Sequence, residues 1–125
     1  MLIVGTISPD KFKAAFGDIA TDKVVITEKQ IEHIKENHPG DYEEYGKYIP
    51  LVLSEPDYIL EANMPHSAVL LKSFFEKGKH FQLVLRLKAA KDPSEFQNSV
   101  ITFWKIAERD IKRLTKNKKV LYKSE

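Results

Sequence analysis

Two of the four histidines fall within one stretch, Thr27 to Gly40, reading TEKQIEHIKENHPG. Imidazole titrates near neutral pH, with an ordinary pKa of about 6.5, and it is also a common metal ligand. Spacing separates the two uses. A helical metal pair needs i, i+4, whereas His33 and His38 are five apart and would diverge by roughly 140° on a regular helix. The chain has no HExxH motif and Cys 0, which removes thiolate ligands and a thiol nucleophile. No metal and no other cofactor is expected, and acid–base chemistry is what the histidines offer.

None of the five glycines falls in a GxGxxG or P-loop pattern, and no serine sits in a nucleophile elbow. Imidazoles, cations and hydroxyls remain. That set suits cleavage of an RNA phosphodiester without a metal: a base takes the 2′-OH proton, a cation neutralises the phosphorane, and an acid protonates the leaving 5′-oxygen. His33 and His38 are the candidate base and acid, in either order. Lys72 stands in an apolar strand, where a lysine must snorkel, pair or line a site. By strand parity Lys72, Arg86 and Thr102 share one sheet face and could hold phosphate, and Trp104 could stack a base.

Each residue has a plainer reading beside this one. His38 could bond the free carbonyls of a helix end, His33 could be a surface histidine, Thr102 a good strand former and Trp104 a core residue. His66 and His80, in or beside turns, read as solvent-exposed.

The elements that must carry these groups are partly written in the sequence. Ser8-Pro9-Asp10 predicts a short helix over 9–16, ended by Gly17. Val24-Val25-Ile26 reads as an edge strand. Thr27 with Gln30 at the third helical position matches a capping box, so a helix starts at Glu28. Ile31 and Ile34 form its buried stripe, and Pro39-Gly40 breaks it beside His38. A helix over 41–53 follows, kinked or divided at Pro50.

Tyr58 to Leu60 is the first sheet strand. Alternation then places Leu70, Lys72 and Phe74 opposite Val69, Leu71 and Ser73. A loop at 76–79 makes a hairpin to a strand whose Phe81, Leu83, Leu85 and Leu87 face the core. A polar connection over 90–97, a strand over 98–104, a basic helix over 108–116 and a last short strand over 118–123 complete an α+β chain, helices first and an antiparallel sheet after.

Composition is that of an ordinary soluble domain, 42% hydrophobic and 30% charged, and 125 residues suit one domain. The net charge of +2 hides a split: residues 28–61 carry −6 and residues 62–125 carry +8. A basic half suits a polyanion partner, and two solvated faces of opposite sign is the plainer account. The opening MLIVGTISPDKF has a short apolar run and no basic leader, so neither a signal peptide nor a membrane span is expected, and cytoplasm is the expected compartment.

The segments VVITEKQIEHIKENHPGDY, LSEPDYIL, AVLLKSF, LVLRL, QNSVITFWKI and KKVLYKSE, in that order and spacing, resemble the phage-associated nuclease domains of the barnase, EndoU, colicin and RelE superfamily. The resemblance runs from about Val24 to Glu125 and is weakest over 1–23. It implies a metal-independent endoribonuclease with N-terminal helices packed on a four-stranded antiparallel sheet. It places the HI-x3-HP pattern on His33, Ile34, His38 and Pro39, the strand lysine on Lys72 and a last-strand hydroxyl on Ser99 or Thr102. RNA, tRNA among it, is the implied substrate, and an immunity or phage protein a candidate partner. Two other classes stay open: a catalytically silent RNA- or protein-binding module on the same fold, and a purely structural phage assembly domain.

Overall fold

The computed structural model describes residues 2–88, 92 and 97–124. Seven strands form one sheet among them: β1 (Leu2–Thr6), β2 (Lys23–Ile26), β3 (Tyr58–Glu61), β4 (Ser67–Phe74), β5 (Lys79–Arg86), β6 (Asn98–Ile106) and β7 (Val120–Lys123). Their order is β1-β2-β6-β5-β4-β3-β7. All neighbours are antiparallel except β2 and β6, which run parallel.

The fold is α+β, but the expected four-stranded antiparallel sheet behind leading helices is incorrect. The sheet is mixed and has seven strands, and the chain opens on a strand. The reason is long-range pairing. β1 exists because Leu2 lies opposite Ile26 and Thr6 opposite Lys23, a match that no local alternation announces. That pairing, with Val24 and Val25 beside Asn98 and Ser99 on the other side, also makes β2 an interior strand and not an edge.

Five α-helices join the strands among the described residues: α1 (Asp10–Phe16), α2 (Glu28–Asn37), α3 (Asp41–Tyr45), α4 (Ile49–Ser54) and α5 (Glu108–Asn117). The start of α2 follows its sequence signal. Thr27 accepts the Gln30 amide through Oγ1 at 3.2 Å, and Gln30 Oε1 accepts the Thr27 amide at 3.1 Å. Two amides of the first turn are thereby satisfied. Thr27→Ala is expected to cost about 1 kcal/mol, and Thr27→Ser much less; urea unfolding of the two variants checks this. Between α3 and α4 a 3₁₀ turn spans Gly46–Tyr48. The division therefore falls before Pro50, which sits in the first turn of α4, where its missing N–H costs nothing.

Both faces of the sheet are covered. One, beneath α1 to α4, buries Ile59, Leu70, Phe81, Leu83 and Phe103 with Ile34, Ile49 and Leu53. The other carries Leu60, Val69 and Leu71 beneath Ile111 and Leu114 of α5. Close approach fixes the first layer at Gly5, where an added Cβ would meet Leu53 Cδ1 at 3.2 Å and Pro50 Cα at 3.3 Å. No helix among the described residues is long and apolar enough to cross a membrane. Of the expected connection over 90–97, only Asp92 and Gln97 lie within the described residues.

The pairing of β2 with β6 stops at Ser99. Beyond it, α2 and α3 lie against β6 in place of a strand, and Asp41 Oδ2 accepts the Lys105 amide at 3.0 Å. This brings the end of α2, and with it His38, to the end of β6.

Candidate active site

α5 shields β3 and β4 on its face of the sheet, so β5 and β6 form the floor of a groove of about 630 Å³. Its lining includes Gly78 and His80 from the β4–β5 hairpin, Trp104 and Ile106 from β6, and Ala107 and Asp110 at the start of α5. A second, smaller hollow of about 260 Å³ continues along the same face, with Gln82, Val84 and Ile101 on its floor and Lys118 at its rim.

His80 is the buried titratable group of this groove, 6% exposed. It pairs across the hairpin with Ser73, and the Ser73 hydroxyl lies 2.7 Å from His80 Nδ1. Phe75 meets the ring edge-on at 5.7 Å. With Nδ1 engaged, Nε2 is the ring nitrogen left for a group in the groove. The hairpin that makes this pair turns on Gly78, whose φ of 62° lies in the left-handed region that glycine tolerates.

Ser73 is held in turn. Its amide donates to Asp57 Oδ2 at 2.7 Å, and Asp57 Oδ1 takes the Lys72 ammonium at 3.5 Å. The Ser124 amide donates to the Asp57 carbonyl at 2.8 Å, which ties the end of β7 to the same corner. Lys72, Asp57, Ser73 and His80 thus form a chain of polar contacts that crosses the sheet from one face to the other.

His38 caps α2 outside helical geometry, at φ −136° and ψ 69°, as Pro39 requires. Its ring lies flat on Trp104, with centroids 4.5 Å apart and an interplanar angle of 1°. His80 thus lines the groove itself, whereas His38 is not among its lining residues and is tied to it through its stacking on Trp104. At the opposite wall the Ala107 amide donates to Asp110 at 2.9 Å, and that bond, aided by Arg113, holds the Asp110 carboxyl below the usual carboxylate range. Alanine has no side-chain acceptor, so only Asp110's half of a capping box stands at α5.

The residues singled out from sequence are spread over both faces. His33 is exposed on α2 and is not among the groove's lining residues. Lys72 lies opposite Phe81, on the face beneath the N-terminal helices, whereas Thr102 lies opposite Val84 on the groove face. The expected common face of Lys72, Arg86 and Thr102 is therefore incorrect, because the hairpin register sets Lys72 against Phe81 and not beside Gln82. Arg86 lies opposite Ser67 on one side and Ser99 on the other, at the far end of the groove face. Trp104 is where a stacking residue would serve, with His38 covering one side of it.

His80 was expected to be solvent-exposed and is buried, while Ser73 and Asp57 were not singled out at all. A signal was available: Ser73 and His80 are equidistant from the centre of the hairpin, so the two polar residues fall at one rung.

A family model described as phage-Barnase-EndoU-ColicinE5/D-RelE like nuclease2 matches residues 4–123. No curated protein and no solved structure matches the chain. With the match running from β1 to β7, the chain belongs to this family of phage-related nuclease domains.

Proposed function

We propose that this nuclease domain cleaves RNA, tRNA among it, by metal-independent transesterification to a 2′,3′-cyclic phosphate, with His38 and His80 as the acid–base pair. The observation that carries the reading is the tethered His80: a buried imidazole with one nitrogen fixed on Ser73 in the lining of the 630 Å³ groove is built to present the other to substrate. His38, held flat on Trp104, supplies the second proton-transfer group. The pH–rate profiles of His38→Ala and His80→Ala assign base and acid.

Lys72 acts here through Asp57 and Ser73 as a positioning residue, its charge being already shared with Asp57 at 3.5 Å. Trp104 supports a base in the groove. Thr102, and beyond it Ser99 and Arg86, lie along the groove face on the path of the neighbouring phosphates. The setting is the cytoplasm, and an immunity or phage protein would act by covering the groove.

A comparison of RNA with DNA of the same sequence, in EDTA, tests the reading. Cleavage of RNA alone is expected, because only ribose carries the 2′-OH nucleophile. His38→Ala is expected to lower kcat by about 10²-fold, a larger loss than His33→Ala gives. Cleavage of both nucleic acids, or cleavage abolished by EDTA, would overturn it, and RNA binding without cleavage would make the domain a binding module.

A further inference from the structure

Four lysines gather on two neighbouring tyrosines at the end of the sheet that holds the groove. Lys47 and Lys77 each stand 5.5 Å from the Tyr48 ring centre, and Lys79 and Lys105 stand 4.9 Å and 5.7 Å from that of Tyr45. The two rings are 6.5 Å apart and both pack on Phe81. The lysines come from three separate elements: the 3₁₀ turn, the β4–β5 hairpin and the end of β6.

Glu43, Glu44 and Glu76 stand on adjacent segments, yet none of these four ammonium groups forms an ion pair with a carboxylate among the described residues. Four like charges held this close repel one another, and their field favours an anion. Lys77 also donates to the Tyr48 hydroxyl at 3.3 Å. That bond, with the charges of Lys77, Lys47 and Lys79, holds the Tyr48 phenol below its ordinary pKa.

The patch and the groove meet at the end of the sheet. Lys105 is among the groove's lining residues, and Gly78 of the groove lies between Lys77 and Lys79, while the register sets Lys79 opposite Phe74 and Lys105 opposite Phe81, on the face beneath the N-terminal helices. A polyanionic strand leaving the groove would reach the lysines by turning round the sheet end at Gly78. Because their aromatic partners are capped by ammonium groups, the patch offers charge and not stacking faces, which fits a phosphate backbone read without regard to sequence. Resting on the RNA-cleavage reading above, we infer that Lys47, Lys77, Lys79 and Lys105 form a phosphate-binding surface that holds single-stranded RNA beyond the nucleotides seated in the groove.

The test uses a 2′-O-methyl RNA 12-mer, which lacks the attacking hydroxyl, so binding is measured apart from cleavage. Fluorescence anisotropy over a salt series gives the affinity and its log–log salt slope for the parent, for K47Q/K77Q/K79Q and for the charge-retaining K47R/K77R/K79R. Each phosphate contact to a single strand contributes about 0.7 to that slope, so the glutamine variant is expected to bind about tenfold or more weakly at low salt, with a slope shallower by about 2. The arginine variant is expected to match the parent.

A parent that binds in this way but cleaves no RNA would support the surface and remove the catalytic reading. Glutamine-variant binding equal to the parent's, or equal losses in the arginine variant, would overturn the surface. So would a parent that binds polyglutamate as tightly as the RNA, since that would assign the lysines to an acidic protein.

Discussion

His80→Ala is expected to lower kcat for RNA cleavage by about 10²- to 10⁴-fold, the usual worth of one positioned acid or base. The loss should fall mainly on kcat, because the groove's walls and the lysine patch remain to bind substrate. His80 is also buried, and its removal leaves the Ser73 hydroxyl without its partner at 2.7 Å, at a cost of about 1–3 kcal/mol. The variant must therefore be assayed at a temperature where circular dichroism shows it folded. Ser73→Ala separates positioning from chemistry, since the imidazole stays while its tether goes. A smaller kcat loss with a displaced pH–rate limb is the expected signature.

Asn98→Ala is expected to have the largest effect on stability of any single polar substitution in the described residues. Asn98 is fully buried and joins three segments. Its Oδ1 accepts the Lys88 amide at 2.7 Å, and its Nδ2 donates to the carbonyls of Thr21 at 2.6 Å and Lys23 at 3.0 Å. Truncation leaves one amide and two carbonyls unsatisfied at the junction where β2 joins β6.

The cost is about 3 kcal/mol or more, a large part of the 5–15 kcal/mol that holds a typical domain together. Urea denaturation should show a lower midpoint with unchanged slope. A loss below about 1 kcal/mol would mean that water replaces the amide freely and that the parallel pairing does not depend on it.

What was legible in the sequence was local. Thr27 and Gln30 sit within hydrogen-bonding range by virtue of helix geometry, so the start of α2 could be read, as could its end at Pro39. The β4–β5 hairpin declared itself through alternation on both sides of Gly78, and the basic helix α5 through its composition.

The rest of the fold depends on segments far apart in the chain. β1 is defined by its partner some twenty residues on, and the parallel contact of β2 with β6 spans more than seventy. Lys72 falls on the face opposite Thr102 and Arg86, because parity within a strand says nothing about which cross-strand residue shares its face. Nearness to a turn suggests exposure for His80, whereas Phe75 and Ser73 close around it and it is buried. His38 was rightly freed from the helix, but its stacking on Trp104 required knowing that α2 ends beside β6.

The central claim is that His80, fixed by Ser73, moves a proton in a metal-free attack of the ribose 2′-OH. The direct measurement is end-group analysis of a 5′-labelled RNA incubated in EDTA with the parent protein and with folded His80→Ala. The expected result is fragments ending in 2′,3′-cyclic phosphate from the parent, reduced at least about 10²-fold in the variant. Fragments with 5′-phosphate ends, or cyclic-phosphate products formed equally well by His80→Ala, would contradict it.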